Sequence, residues 1–212
     1  LANKHPRVNI LRPTCGVGGH CISVDPWFLI ETFPEHANLL KTARWVNDTK
    51  PQEVIRKINK EVVAWRMKNE KPCKILVLGL TYKVNIDDLR ESPALHIART
   101  LGSLKNLELL VCEPNVSEDE INRIIDARPV EFHEGLEEAD IILALVAHDQ
   151  FKSLPSIALK GKKVFDYCGI CHVERYAESN KEQLFWPASL QEYEVYSSPG
   201  IFKEEKFEKD RV

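Results

Sequence analysis

The feature that most constrains this chain is a series of short apolar runs between Pro72 and Tyr167 separated by helix-forming stretches. Lys74 to Leu80 reads Lys-Ile-Leu-Val-Leu-Gly-Leu, apolar on both alternating faces and closed by glycine at its end. A strand with both faces apolar belongs in a parallel sheet covered on two sides. Leu107 to Cys112, Val130 to Phe132, Asp140 to Val146 and Lys163 to Tyr167 repeat the signal. Ser92-Pro93 opens a helix running to about Leu104, with serine as N-cap and proline in the first turn. Residues 118–127 form another helix. Strands alternating with helices define an α/β fold, a Rossmann-like doubly wound parallel sheet with right-handed crossovers.

The chain ahead of the sheet differs in kind. The first thirty-five or so residues are rich in Pro and Gly and read as loop, with a short apolar segment from Trp27 to Ile30. From Ala37 to about Lys68 the pattern is helical: Leu39, Ala43 and Val46 recur at helical spacing, as do Ile55, Ile58, Val62 and Trp65. Pro51 either kinks one long helix or sits in the first turn of a second. The filled stripe predicts packing against another domain or subunit. The expected layout is a loop and central helix over 1–71 and a Rossmann-like domain over 72–212, ending in a frayed tail.

A net charge of −3 gives no sign of a nucleic-acid surface, so an anion site must be local. No stretch approaches the eighteen or so apolar residues that a membrane span needs. The opening residues lack the apolar core of a signal peptide, and with six cysteines this predicts reduced thiols in a cytoplasmic protein. The absence of an initiator Met suggests a fragment.

Two loops carry the candidate chemistry. In Gly18-Gly19-His20-Cys21 the glycines permit close backbone approach to a ligand, and a cysteine ahead of a helix start is placed to become a nucleophilic thiolate. Asp25 is either a partner for water or a cation, or the N-cap of a helix beginning at Pro26; an inert buried thiol is the bland alternative for Cys21. At the carboxyl end of the first strand, where such sheets bind ligands, Gly79 to Pro93 lacks the G-x-G-x-x-G dinucleotide loop. It carries Lys83 and Arg90, suited to an anion held by side chains. Alternatively Asp87, Asp88 and Arg90 are a solvated ion-pair cluster. Cys168, Cys171 and His172 fit a C-x-x-C-H haem pattern or part of a zinc site, but neither has the remaining features it needs, and no metal is expected.

Taken together, Gly16 to Phe28, Val46-Asn47-Asp48 with Lys50-Pro51, Gly79 to Pro93, and Asp140 to Leu145 with His148-Asp149-Gln150-Phe151 resemble the UDP-glucose/GDP-mannose dehydrogenase family. The likeness is strongest to its branch oxidising UDP-N-acetyl-D-mannosamine, and it runs in order over residues 7 to about 170. The resemblance implies an NAD-dependent oxidation of a UDP-hexosamine C6 alcohol to the carboxylate, and a homodimer built on the central helix. It implies that Cys21 forms a thiohemiacetal and then a thioester, which water hydrolyses with help from Asp25. Lys83, with Gly18 and Gly19, would contact the UDP-sugar, Arg90 would reach the cofactor side, and Arg7 would enter the neighbouring subunit's sugar site. Three positions depart from the pattern: Thr14-Cys15 stands where that branch has Gly-Pro, Val24 where UDP-glucose dehydrogenases have Lys, and Cys168 where Lys or Arg is frequent. The resemblance also implies an NAD domain outside this sequence, leaving the chain inactive by itself. The reading from another class is a non-catalytic nucleotide-sugar-binding and dimerisation module.

Overall fold

The computed structural model describes residues 13–105, 107–153 and 159–170. These share one compact unit, Leu1–His172; the second unit, Val173–Val212, lies outside the described residues. Arg7, Cys171 and His172 are outside them as well.

Five strands, β1 (Cys73–Leu78), β2 (Leu107–Cys112), β3 (Arg128–Pro129), β4 (Ile141–Ala144) and β5 (Lys163–Asp166), form one sheet in the order β3-β2-β1-β4-β5. Every pairing is parallel, with Ile75 opposite both Leu109 and Ile141. The chain therefore winds outward from β1 in both directions, and the order reverses between β1 and β4. Alternation divides β1 between two cores. Ile75 and Val77 face a core shared with Leu109, Val111, Leu143 and two helices, α2 (Asn38–Arg66) and α3 (Pro93–Gly102). The opposite face meets α5 (Phe132–Glu138), where a Cβ on Gly135 would come within 2.7 Å of a Leu76 methyl. Glycine is what lets that helix lie flat on the sheet. Ser92 caps α3 by accepting from the Leu95 N–H at 3.2 Å, and its hydroxyl donates to the Leu80 carbonyl at 2.5 Å. The cap thereby ties α3 to the end of β1.

The structure departs from the sequence expectations in the short elements. The helix expected from Pro26 is present one residue earlier as α1 (Asp25–Thr32); it takes in Trp27 to Ile30 and has no buried residue. The strand expected at Val130 to Phe132 lies at Arg128–Pro129 instead, and Phe132 begins α5. Residues 118–127 shorten to α4 (Glu118–Ile124), because Ile125 is already extended.

Pro51 lies inside one continuous 29-residue helix rather than opening a second. The helix is divided by environment instead. Val54, Ile58 and Val62, one turn apart, are buried against the sheet and α3. Leu39, Trp45 and Val46 in the amino-terminal half are exposed. Removing a fully buried branched side chain costs the transfer energy and leaves a cavity. Ile58→Ala should therefore lower stability by about 3 kcal/mol. Leu39→Ala, at 85% exposure, should change it by less than about 0.5 kcal/mol. Urea denaturation of both variants checks this; equal losses would mean that α2 is not docked by its carboxyl-terminal half.

Candidate functional site

The cysteine loop is assembled against α2 and the loop that leaves β1. Val17 donates its N–H to the Asn47 amide oxygen at 2.7 Å, and the Asn47 amide nitrogen donates back to the Val17 carbonyl at 3.2 Å. One side chain thus pairs with the loop backbone as a neighbouring strand would. Gly18 and Gly19 then pass directly over the second loop. A Cβ on Gly18 would sit 2.1 Å from the Glu91 carbonyl oxygen, and one on Gly19 2.8 Å from the Tyr82 ring. Gly19 also has φ +92°, a left-handed conformation that side chains disfavour. A side chain at Gly18 would require the Glu91 backbone to move, and one at Gly19 would require the Tyr82 ring to move and would strain the backbone.

Past the glycines the chain turns into α1. The Cys21 carbonyl accepts the N–H groups of Val24 at 3.0 Å and Asp25 at 2.8 Å, and Ser23, buried, donates to the Gly19 carbonyl. Cys21 is exposed. Asp25 is the first residue of α1, and the cap position falls on Val24, which offers no side-chain bond. Asp25 is therefore not the N-cap: its carboxylate is exposed and makes no hydrogen bond or ion pair among the described residues. Cys15, six residues earlier in the same loop, is buried, and desolvation pushes its thiol up to about 12.

In the second loop, Arg90 folds back onto Asp88. Its Nε lies 3.0 Å from both carboxylate oxygens and its Nη2 2.6 Å from one. These bonds hold the Asp88 carboxyl down to about 2 and push the Arg90 guanidinium up, with Tyr82 and Cys21 adding smaller contributions to the latter. Of the cluster expected from Asp87, Asp88 and Arg90, only the Arg90–Asp88 pair forms among the described residues, and Cys21 lies within electrostatic reach of it. Lys83 is exposed and its ammonium has no ion-pair partner among the described residues. The structure thus brings Cys21, Gly18, Gly19 and Arg90 together, with Lys83 next in sequence to the Tyr82 that packs under Gly19.

Beneath this loop lies a polar cluster that sequence reading did not single out. Glu113 follows β2 and His148 follows β4, and both side chains are buried. Glu113 accepts the Leu80 N–H at 2.7 Å, the Thr81 N–H at 3.3 Å and the Asn115 N–H at 3.0 Å. Its Oε2 lies 3.1 Å from His148 Nε2. Burial pushes the Glu113 carboxyl up, but the His148 bond and the backbone donors outweigh it and leave the group more acidic than usual. In dinucleotide-binding folds an acidic residue about twenty residues beyond the glycine loop holds ribose hydroxyls. Here the acid that follows β2 is turned inward and its lone pairs are used.

On its other flank the cysteine loop borders a cleft of about 360 Å³ lined by Ser23, Arg44, Asn47, Asp48, His96 and Arg99 among others. Arg44 is buried, ion-paired with Asp48 at 2.5 Å, and its Nε has no partner. Among the described residues no group of three His, Cys, Asp or Glu converges on a metal position, and no helix is long and apolar enough to cross a membrane.

A doubly wound parallel sheet whose first loop carries cations in place of the G-x-G-x-x-G glycines, with a cysteine turn seated beside it, defines an α/β protein with a ligand-binding edge at the carboxyl ends of its strands. The comparisons agree: residues 1–49 match the central domain and residues 76–173 the UDP-binding domain of the UDP-glucose/GDP-mannose dehydrogenase family. The chain belongs to that family. It is 45% identical over 171 residues to the UDP-N-acetyl-D-mannosamine dehydrogenase of Campylobacter jejuni, covering 79% of this chain and 39% of that protein. It is 42% identical to the NDP-N-acetyl-D-galactosaminuronic acid dehydrogenase of Ralstonia solanacearum, covering 84% and 40%. The solved UDP-N-acetyl-mannosamine dehydrogenase of S. aureus superposes with a TM-score of 0.60 at 35% identity, covering 80% and 38%. The chain therefore spans about two fifths of the length of these relatives.

Because the folded protein keeps Glu113 more acidic than the unfolded chain does, the unfolded state takes up the proton first as pH falls. The resulting stabilisation is complete above the unfolded value of about 4.3 and disappears as pH drops toward the folded one. Glu113→Gln should cost about 2 kcal/mol at pH 7, the worth of a buried charge-assisted bond. The gap from the parent chain should narrow below about pH 4. Denaturant titrations at pH 7 and below 4 measure it, and a gap that widens at low pH would contradict the assignment.

Proposed function

We propose that this chain is the cysteine-bearing, nucleotide-sugar-binding part of an NAD-dependent dehydrogenase that converts the C6 alcohol of a UDP-hexosamine, UDP-N-acetyl-D-mannosamine, into the uronate. The observation that carries the reading is the seating of the Gly18-Gly19-His20-Cys21 turn against Tyr82 and Glu91, the residues that bracket the Lys83–Arg90 loop, with Cys21 within electrostatic reach of Arg90. Residues 1–71 supply the cysteine loop and the central helix, and 72–212 the UDP-sugar domain. The relatives' names support the hexosamine class.

The sugar nucleotide would lie over the β1 loop with Lys83 at its diphosphate, Gly18 and Gly19 giving backbone access to the sugar, and Cys21 at C6. Arg7 would reach a second subunit's sugar. The described residues do not fit a dinucleotide: the β1 loop lacks the glycines and Glu113 is committed inside. NAD is therefore assigned to a part of the protein outside this chain, where it supplies the hydride acceptor for both oxidations. Cys21 holds the sugar carbon between them. Its thiolate sulfur bonds to the C6 aldehyde carbon, and the bond persists at the thioester level. Water, steered by the free Asp25 carboxylate, adds to that carbon and expels the thiolate, leaving the carboxylate. Arg90, released from Asp88, would face the cofactor side.

In the whole enzyme, Cys21→Ser should abolish uronate formation, since a hydroxyl without an activating base is a far poorer nucleophile. UDP-sugar binding should stay nearly intact. Product analysis with a panel of UDP-sugars reads both substrate and turnover. More than about a tenth of parental turnover, a barrier change under about 1.4 kcal/mol, would rule Cys21 out as the nucleophile. For the chain itself, calorimetry should detect UDP and no NAD; NAD binding as tight as UDP would overturn the division of labour.

A homodimer through α2 completes the reading. Ile58 and Val62 of the predicted stripe pack within this unit, so the contact falls to the exposed Trp45 and Val46 and, on α1, Phe28 and Leu29. Light scattering should report twice the 24.3 kDa chain mass, and Trp45→Asp should halve it. A monomer at high concentration would remove the dimer from the proposal.

A further inference from the structure

The β1 loop is fastened at points that bracket Lys83. On one side, Leu80 and Thr81 are bonded to Glu113, and the Thr81 hydroxyl donates to the Lys83 carbonyl at 2.9 Å. On the other, the Asn85 N–H donates to His148 Nδ1 at 2.9 Å. The Asn85 amide also exchanges hydrogen bonds with Asp149, donating to its carboxylate at 2.7 Å and accepting its N–H at 3.1 Å. Asn85 is itself in the left-handed region, at φ 57°. A non-glycine residue stays there only where its surroundings hold it.

These bonds determine the imidazole's state. Nδ1 accepts from the Asn85 N–H and, at 3.1 Å, faces the Asn115 amide nitrogen. It therefore bears no proton, and the ring hydrogen sits on Nε2, which lies 3.1 Å from Glu113 Oε2 and 3.3 Å from the Thr81 hydroxyl and donates chiefly to Glu113. Phe151 meets the ring edge-on at 5.5 Å between centroids and fixes its plane. His148 is completely buried and cannot touch a ligand.

We propose that His148 is a positioning residue for nucleotide binding: through Nδ1 it fixes Asn85, and through Asn85 it sets where Lys83 presents its ammonium. This rests on the reading above, in which Lys83 meets the diphosphate. The residue links β2, through Glu113, and β4, which it follows, to the loop of β1. A phosphate-binding lysine works as a point charge on a flexible stem. The backbone beneath it must therefore supply the placement.

Two isosteres separate the ring's nitrogens. Asparagine places its amide oxygen near Nδ1 and retains an acceptor for Asn85. Glutamine places its amide nitrogen near Nε2 and retains the donor to Glu113. UDP is titrated by calorimetry into the chain and into H148N, H148Q and Lys83→Ala, while hydrogen exchange follows the Asn85 amide. H148N should keep UDP affinity within about threefold and keep Asn85 protected. H148Q should lose tenfold or more in affinity and lose that protection, even where its melting temperature matches that of H148N. Lys83→Ala should weaken UDP with Asn85 still protected. If H148Q leaves Asn85 protected, His148 does not hold the loop and the proposal is overturned, whatever UDP does. If Asn85 behaves as expected but Lys83→Ala leaves UDP binding unchanged, it is the placement of the diphosphate at Lys83 that fails, and the positioning role goes with it. Should H148Q not fold, H148N still decides: a folded H148N that loses tenfold in affinity overturns the assignment.

Discussion

A carboxylate taken out of water must be surrounded by donors, and the carboxyl edge of this sheet is organised around that requirement at Glu113. The acid draws the Leu80 and Thr81 N–H groups inward, so the chain leaving β1 turns over the sheet end instead of running on into a helix. It draws His148 from the far side of β1, and His148 in turn takes the Asn85 N–H. Three strand ends are thereby joined by polar bonds in a place where apolar packing alone would fix no direction. The loop so positioned offers the surface on which Gly18 and Gly19 rest. The cysteine turn is thus two contacts removed from a buried charge.

The longer strands were legible because burial on both faces demands apolar residues at every position. Leu107–Cys112 was read to the residue, and the Ser92 cap with its following proline placed α3. The two-residue β3 and the seven-residue α5 were not legible. Neither is long enough for a period to show, and Val130 with Phe132 imitates alternation across the junction between them. α1 was legible at its start, where Asp25-Pro26 signals a helix, but not along its length: no residue of it is buried in this unit, so no covered apolar face marks its extent. The long helix was visible, but the sequence does not distinguish the half of its stripe that is covered at home from the half that is bare.

The chemistry was legible where it is local. Glycines next to a cysteine, and cations in a strand-end loop, sit close together in sequence, and the fold brings those two loops into contact. Glu113 and His148 are 35 residues apart and meet only because β2 and β4 flank β1. The usable signal was their shared station, each just past the carboxyl end of a strand neighbouring the first. Asp25 shows the converse, since a residue type that favours the cap position stands one place inside the helix and leaves its carboxylate unspent.

The long helix also has a mechanical side. Asn47 holds the cysteine loop near the point where α2 passes from its bare half to its seated half, one turn before the buried Pro51. At about 1.5 Å per residue, the arm from Asn38 to Asn47 is roughly 14 Å long and continues as a single rod into the core. A tilt of about four degrees at that fulcrum moves the arm's tip by only about 1 Å. Whatever surface seats on the arm is therefore registered to the cysteine loop to within a bond length or so, without touching it.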